Sequence, residues 1–233
     1  MKHATSAIPM ARSVPGDVSV KVPAWKRVLD VCVTVAALPI LLPVSAAIAV
    51  VIKCVSRGPV LFRQERIGFR GKPFICLKFR TMRVNAPISG HQEYLQSLMK
   101  SDKPMIKMDS IGDRRLIPLG SILRATGMDE LPQFVNVLRG EMSVVGPRPC
   151  LRYEYESYEP WQKQRFNSLP GLTGLWQVSG KNTTTFEQMI RMDIQYAEMK
   201  SPAVDLAIMV KTIPVLARQA AEMVLRRIRH RSQ

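Results

Sequence analysis

Two adjacent carboxylates, Asp129 and Glu130, are the residues whose types and spacing could most directly do chemistry in this chain. Neighbouring ionised acids repel each other unless solvent, a cation or arginine compensates them. The pair could therefore bind magnesium, act as a nucleophile, or do both. The alternative is that the pair only marks the start of a helix, where the macrodipole favours acids.

Basic side chains beside rigid turns could bind the anions on which such a pair would act. Arg148 lies between Pro147 and Pro149, which restrict its backbone. A guanidinium held in this way suits a phosphate, because its N–H groups form a fork that matches two oxygens. Further basic residues in this group are Lys78, Arg80, Arg115 and Arg124. Taken singly, each is more often a solvated surface charge, but together with the acid pair they predict a magnesium and diphosphate site.

The overall composition indicates a folded, basic protein with an anionic partner. A length of 233 residues, 46% of them hydrophobic, suits one domain with a sizeable core. The formal net charge of +16 points to nucleic acid, anionic lipid or a phosphorylated substrate. Aromatic residues make up 6% of the chain and form no stacking motif, which argues against nucleic acid. The four cysteines include no Cys-x-x-Cys pair and the histidines no ligand spacing, so we expect reduced cysteines in a cytoplasmic setting and no zinc site.

An apolar stretch near the N-terminus predicts a membrane anchor. The 22 residues 31–52 carry no formal charge and, as a straight helix, would extend about 33 Å, enough to span a bilayer. Pro39 and Pro43 lie inside the stretch, so a kink or break is expected. Both flanks are basic, so the positive-inside rule gives no direction. These residues leave open a kinked spanning helix and a hairpin that enters and leaves on one face.

The remaining elements would surround the chemical residues. Residues 60–63 and 74–79 predict a β-hairpin, residues 91–100 and 117–125 predict helices, and residues 146–149 and 170–174 predict loops or turns. Apolar and basic residues alternate toward the C-terminus, where Pro214 predicts two short interfacial amphipathic helices rather than one. The expected fold is mainly α with a few short strands. Its predicted parts are a flexible leader at 1–24, the membrane segment at 25–57, a catalytic domain at 58–217 and a basic tail at 218–233.

Several longer motifs follow one another along the chain. They are LKFRTM at 77–82, DELPQFVNVLRGEMS at 129–143, VGPRP at 145–149 and PGLTGLWQVSG at 170–180. Together they resemble the bacterial sugar transferases, and more specifically the small monotopic polyprenyl-phosphate phosphoglycosyl transferases. The chain is similar to the undecaprenyl-phosphate galactose phosphotransferases that initiate exopolysaccharide synthesis, over residues 26–211. Because the motifs follow in one order, the resemblance is far more specific than a single short pattern.

The resemblance implies an enzyme that moves sugar-1-phosphate from a nucleotide diphosphate sugar, usually a UDP-sugar, to undecaprenyl phosphate. Asp129 would attack the β-phosphate to form a covalent phosphosugar, UMP would leave, and Glu130 would bind Mg²⁺. The reaction would take place on the cytoplasmic face of the bacterial inner membrane, with both ends of a re-entrant hairpin cytoplasmic and Pro39 and Pro43 at its bend. Anionic lipids would be further partners, nucleic acid would not, and a homo-oligomer is compatible with the motifs.

The resemblance also assigns substrate-binding positions. Lys78, Arg124 and Arg148 match basic residues of the family site, and Asp193 and Asp205 match acids further along the chain. Three departures affect the expected geometry. Gly127 and Met128 precede the acid pair where serine and leucine are usual, which removes a potential cap but not the nucleophile. Leu42 precedes Pro43 where serine is usual, and Lys181 stands where the family has arginine, which changes a bidentate contact into a point-charge contact. The alternative to an enzyme is a membrane-associated adaptor that binds anionic lipid or nucleic acid through its basic surface.

Overall fold

The computed structural model describes residues 21–84, 97–99, 101, 104, 115–180 and 183–231, with side chains as far as residue 222. Most of the predicted leader, most of the helix predicted at 91–100 and Lys181 lie outside these ranges. The helices are α1 Ala24–Val55, α2 Gly120–Thr126, α3 Gln133–Leu138, α4 Arg152–Glu156, α5 Leu175–Val178, α6 Phe186–Met199 and α7 Pro202–Arg231. The strands are β1 Leu61–Ile67, β2 Pro73–Phe79, β3 Ser143–Val145 and β4 Gly171–Thr173. The prediction of a mainly helical fold with a few short strands is confirmed.

The predicted β-hairpin is present, and its first strand is longer than expected. β1 and β2 pair antiparallel from Leu61 opposite Phe79 to Ile67 opposite Pro73. The middle of β1 is polar, so a pattern of apolar residues does not predict the full length of this strand. Pairing with the apolar β2 extends β1 through the polar stretch. The register places Arg66 opposite Phe74, near the closed end of the hairpin.

A second, parallel pair of strands corrects the prediction of a loop at 170–174. β3 pairs with β4, with Ser143 opposite Gly171 and Val145 opposite Thr173. Glycine permits this approach, because a Cβ on Gly171 would lie 2.1 Å from the backbone nitrogen of Gly146. The loop that carries Arg148 leaves directly from the end of β3, as predicted for 146–149.

Helix α1 continues through both of its prolines. Residues Ala24–Val55 form one helix of 32 residues with Pro39 and Pro43 inside it, so the predicted break is not seen as an interruption of the helix. A proline removes one backbone donor, and a helix can absorb this loss as a kink without ending. Its length and mean hydropathy are sufficient to cross a membrane, and little of its apolar stretch is buried in the protein. The re-entrant path remains a proposal.

Helix α7 is also longer than predicted. Residues Pro202–Arg231 form one helix with Pro214 inside it, so the prediction of two short helices is wrong, and the expected boundary at 217 and 218 falls within the helix. Packing on both sides of the proline maintains the helix. Ile208 lies in the core before Pro214, and Leu216 lies over α2 after it, 3.6 Å from where a Cβ on Gly127 would be.

A buried ion pair joins the two long helices. Lys26 Nζ of α1 lies 2.5 Å from Asp205 Oδ2 of α7, and the two side chains are 2% and 0% exposed. Lys26 also donates to the Val145 carbonyl at 2.8 Å. The Tyr196 hydroxyl, 2.7 Å from Asp205 Oδ1 and 3.0 Å from the Val145 carbonyl, can donate to either. The cluster therefore fixes α1, α6 and α7 to the end of β3.

The ion pair predicts a large loss of stability when one partner is removed. Asp205→Ala leaves the Lys26 ammonium buried without its carboxylate, so we expect a loss of about 3–5 kcal/mol in the free energy of unfolding. Lys26→Met combined with Asp205→Leu removes both charges and should recover part of this loss. Denaturant unfolding in detergent micelles measures both variants.

The exposed pair Glu187 and Arg191 supplies the control, because its atoms lie 2.6 Å apart on the surface of α6. Glu187→Gln should leave the unfolding midpoint almost unchanged. An Asp205→Ala variant as stable as Glu187→Gln would contradict the structural importance of the buried pair.

Candidate active site

The acid pair lies in a short turn between two helices. Residues Met128–Glu130 form a 3₁₀ turn after α2, and the turn starts at Gly127, whose φ is +72°. A positive φ at this position favours glycine. α3 begins at Gln133 with no acid in its first turn, so the macrodipole of α3 does not account for the pair. Asp129 is 8% exposed.

A cavity of about 420 Å³ brings together four of the predicted residues. Lys78 of β2, Arg124 of α2, Glu130 and Arg148 all line it. Lys78 Nζ lies 2.8 Å from Glu130 Oε1, with both side chains partly accessible. Neutral walls come from β4, α5 and α7, with Thr173, Trp176, Gln177, Met209, Thr212 and Leu216 among the lining residues. The cavity thus has a basic part, one lining carboxylate and an apolar side.

Arg148 is held by a fully buried acid that the sequence analysis did not identify. Its Nη1 donates to Glu154 Oε2 at 3.1 Å, and the Leu151 N–H donates to Glu154 Oε1 at 3.1 Å. Burial alone would raise the pKa of Glu154, but Arg148, Arg66 and the Leu151 N–H outweigh it and hold the pKa below its usual value. Glu154 is therefore ionised and fixes the direction of the Arg148 guanidinium.

A second buried pair supports the backbone of the same loop. Arg165 Nη2 donates to the Arg148 carbonyl at 2.9 Å and to Asp193 Oδ2 at 2.5 Å. Burial raises the pKa of Asp193 to about 6, against the attraction of Arg165. Asp193 does not line the cavity, so its placement corresponds to support of Arg148 rather than to the predicted contact with substrate.

Asp129, the predicted nucleophile, is not among the lining residues, although Glu130 beside it is. Three other residues predicted to bind substrate also lie outside the cavity lining. Arg80 donates to the carbonyls of Arg57 and Ser56 at 2.6 and 2.8 Å, just after the end of α1. β2 ends at Phe79, so the alternation that would place Arg80 on the same face as Lys78 stops one residue earlier. The Arg115 carbonyl accepts from the Arg83 N–H at 2.8 Å. Asp205 is the buried partner of Lys26 described above.

One charged residue of the cavity lining was missed as a functional candidate. Arg66 of β1 lines the cavity beside Arg148. It follows Glu65 in a polar stretch where nothing in the local pattern separates it from the exposed Arg63. The register of the hairpin is the information that brings it to the site.

The carboxylates at the site suit a magnesium site in which the protein supplies few of the ligands. Among the described residues, no group of three or more His, Cys, Asp or Glu side chains could hold a metal ion by itself. Mg²⁺ often uses only one or two carboxylates, with substrate phosphates and water as its other ligands. Glu130 at the cavity fits that type of site, in which the protein supplies few of the ligands.

Comparison with known proteins identifies the family. The family model described as "Bacterial sugar transferase" matches residues 22–219. The chain belongs to the bacterial sugar transferase family. It is therefore an enzyme, and the acid pair, Lys78, Arg124 and Arg148 all fall within the matched region.

Curated relatives of this sugar transferase carry more specific names. The "Exopolysaccharide production protein ExoY" of Sinorhizobium fredii is 36% identical over 226 residues, 93% of this chain and 97% of the relative. The "UDP-glucose:undecaprenyl-phosphate glucose-1-phosphate transferase" of Caulobacter vibrioides is 41% identical, over 82% of this chain and 69% of the relative. The "Undecaprenyl-phosphate galactose phosphotransferase" of Salmonella typhimurium is 38% identical, over 70% of this chain and 34% of the relative. The chain thus spans nearly all of one relative and about a third of another.

The lowered pKa of Glu154 predicts a pH-dependent contribution to stability. Because the folded state favours the carboxylate, this contribution is present above the ordinary pKa of 4.5 and is lost as the pH falls below it. Glu154→Gln should cost about 2 kcal/mol at pH 7, since hydrogen bonds to a charged group are lost. The difference from wild type should shrink below pH 4.5. Thermal unfolding in detergent at several pH values measures it.

Glu156→Gln is the matched control, because Glu156 lies on the same helix and is exposed. A constant difference between wild type and Glu154→Gln at all pH values would argue against an ionised Glu154.

Proposed function

We propose that the chain transfers sugar-1-phosphate from a UDP-sugar to undecaprenyl phosphate through a covalent aspartyl intermediate, and so initiates synthesis of an exopolysaccharide or related glycoconjugate. The observation that carries the proposal is the meeting of Lys78, Arg124, Glu130 and Arg148 in one cavity, with Asp129 adjacent in the chain to Glu130. Relatives named for UDP-glucose, undecaprenyl phosphate and galactose phosphotransfer support the two substrates.

The first step forms the intermediate. A carboxylate oxygen of Asp129 attacks the β-phosphorus, the bond from that phosphorus to the bridging oxygen breaks, and the electron pair leaves with UMP. Lys78, Arg124 and Arg148 offset the charge of the diphosphate and of the leaving phosphate. Glu130 would hold Mg²⁺ together with the donor phosphates, and the ion would supply further neutralisation.

The second step releases the product. A phosphate oxygen of undecaprenyl phosphate attacks the same phosphorus, the bond to Asp129 breaks, and the carboxylate is restored as undecaprenyl-diphosphate sugar leaves. Two anionic substrates repel each other, and a covalent intermediate lets them react in separate steps. The apolar cavity side formed by α7 gives the lipid acceptor a suitable approach, with Met209 and Leu216 in the lining.

The contacts at the two ends of α1 support a hairpin path, which we place on the cytoplasmic side of the membrane. Lys26 and Asp30, near the start, contact Asp205 and β3. Ile48 and Ile52, near the end, pack in a cluster with Phe79, Ile117 and Leu123. The apolar residues between these ends are largely exposed. A helix that crossed a bilayer completely would separate its ends by the hydrocarbon core, whereas both ends here contact the same folded body.

An adaptor without enzymatic activity is the less favoured function, because two of the curated relatives named above carry transferase names. The exposed apolar residues of α7, which include Leu206, Val210 and Ile213, support contact with the membrane surface. Basic residues beside them, such as Lys211 and Arg218, would favour anionic lipid.

The nucleophile is tested by Asp129→Asn in detergent or nanodiscs with Mg²⁺ and a panel of labelled UDP-sugars. Wild-type protein should release UMP and acquire a phosphosugar adduct with at least one donor. Asp129→Asn should form no adduct and lose at least about 10³-fold in UMP release, because an amide is not a comparable nucleophile.

Glu159→Gln serves as the control, since Glu159 is exposed and does not line the cavity. Persistence of the adduct in Asp129→Asn would remove Asp129 as the nucleophile, and absence of UMP release from wild type with every donor would remove the proposed reaction.

The hairpin is tested by cysteine accessibility from each side of the membrane. Lys21 and Arg57 flank α1 and are exposed, so Lys21→Cys and Arg57→Cys can be labelled after the exposed Cys32 and Cys54 are replaced by alanine. We expect both sites to react with an impermeant reagent only in inverted membrane vesicles. Labelling of the two sites from opposite sides would exclude the hairpin and favour a spanning helix.

A further inference from the structure

Arg66 is a buried cation at the cavity with no role assigned above. It lies near the end of β1, it is 8% exposed, and it lines the cavity together with Arg148 and Cys76. A charged side chain is rarely buried to this extent unless a partner compensates it. The partners of Arg66 therefore indicate what the residue can bind.

The hydrogen bonds of Arg66 hold the guanidinium in place without using all of its donors. Nε and Nη2 donate to Gln64 Oε1 at 3.1 and 2.7 Å, and Nη1 donates to the Pro149 carbonyl at 3.2 Å. A guanidinium has five N–H donors. Within the described part of the chain, these bonds leave one N–H on each terminal nitrogen for another acceptor. Two such N–H groups on one plane match two oxygens of a phosphate.

The charges around Arg66 do not balance. Arg66 and Arg148 both interact with the carboxylate of Glu154, whereas Arg165 has Asp193 as its own partner. Two guanidinium groups thus share one carboxylate. Burial and the neighbouring Arg148 lower the pKa of Arg66, although Glu154 opposes the change. An anion in the cavity would compensate the excess positive charge.

We propose that Arg66 and Arg148 form a paired anion site that receives a phosphate of the donor, with Glu154 fixing the pair rather than contacting the ligand. The identity of the ligand as a donor phosphate rests on the proposed function. The anion site itself rests on the position, the remaining donors and the charge of Arg66. Arg66 binds through its own N–H groups and also supports the Arg148 loop through the Pro149 carbonyl.

The alternative is that Arg66 only supports the loop. Arg66→Gln removes the charge and the fork, whereas Arg66→Lys keeps a positive charge without the fork. Arg63→Gln removes the same charge from an exposed position of the same strand and is the matched control. Loop support alone predicts that lysine and glutamine are equally harmful, since neither reproduces the guanidinium bonds.

The experiment measures binding of inorganic diphosphate and of UDP to the full chain in nanodiscs by calorimetry, together with the KM and kcat for the donor. We expect Arg66→Gln to weaken diphosphate binding by about tenfold or more, because a charge-assisted contact is lost. Arg66→Lys should fall between Arg66→Gln and wild type, and Arg63→Gln should stay within about twofold of wild type. The KM for the donor should rise in the same order. Unfolding temperatures without ligand identify any variant that is not folded.

Equal affinity in wild type and Arg66→Gln would overturn the anion site, and so would an equal loss in the lysine and glutamine variants accompanied by equal destabilisation. The two proposals fail separately. Wild-type protein that binds diphosphate through Arg66 but releases no UMP would retain the anion site and lose the proposed reaction. UMP release with diphosphate binding unaffected by Arg66→Gln would retain the reaction and lose the anion site.

Discussion

The contact of Lys26 with Asp205 and the Val145 carbonyl brings three parts of the chain to one point. These parts are the first turn of α1, the first turn of α7 and the end of β3. A buried ammonium is costly unless hydrogen bonds and an opposite charge compensate it, and here the carboxylate and the carbonyl both do so. Because β3 leads directly to Gly146 and Arg148, the same contact that orients the apolar helix also sets the start of the loop at the cavity.

Away from the Lys26 contact, two sets of charged residues hold Arg148. Asp193 and Arg165 form an inner pair, and Arg165 holds the backbone of Arg148. Glu154 then holds the Arg148 guanidinium from the side. The result is a basic side chain whose backbone and head group are both fixed before a ligand arrives. Such preorganisation reduces the reorganisation needed when negative charge enters the site.

The sequence predicts which residue types could take part in the chemistry better than it predicts where the fold places them. Lys78, Arg124, Glu130 and Arg148 were predicted from motif chemistry, and the fold brings them to one cavity. Arg80, Asp193 and Asp205 have equally suggestive types, but each is directed to a partner outside the cavity. A sequence motif does not state which side of an element a residue occupies once a strand ends or a helix packs in the interior.

Pairing and proline effects account for the other differences. The parallel contact of β3 with β4 depends on two distant segments of three residues each, which carry no local pattern. The position of Arg66 at the cavity likewise depends on the register of the hairpin, which carries no local sequence pattern. Local chemistry predicts breaks at Pro39, Pro43 and Pro214. The long apolar stretch of α1 and the packing of α7 keep both helices continuous. Tertiary context decided these cases.

Leu216 has a position with a consequence for how substrates could arrive. It lines the cavity and is also 40% exposed, on a helix whose neighbouring face carries other exposed apolar residues. The cavity is therefore not closed on that side by a continuous core. A molecule with an anionic head and an apolar tail could place its head among the basic residues of the cavity while its tail stays in a hydrocarbon phase.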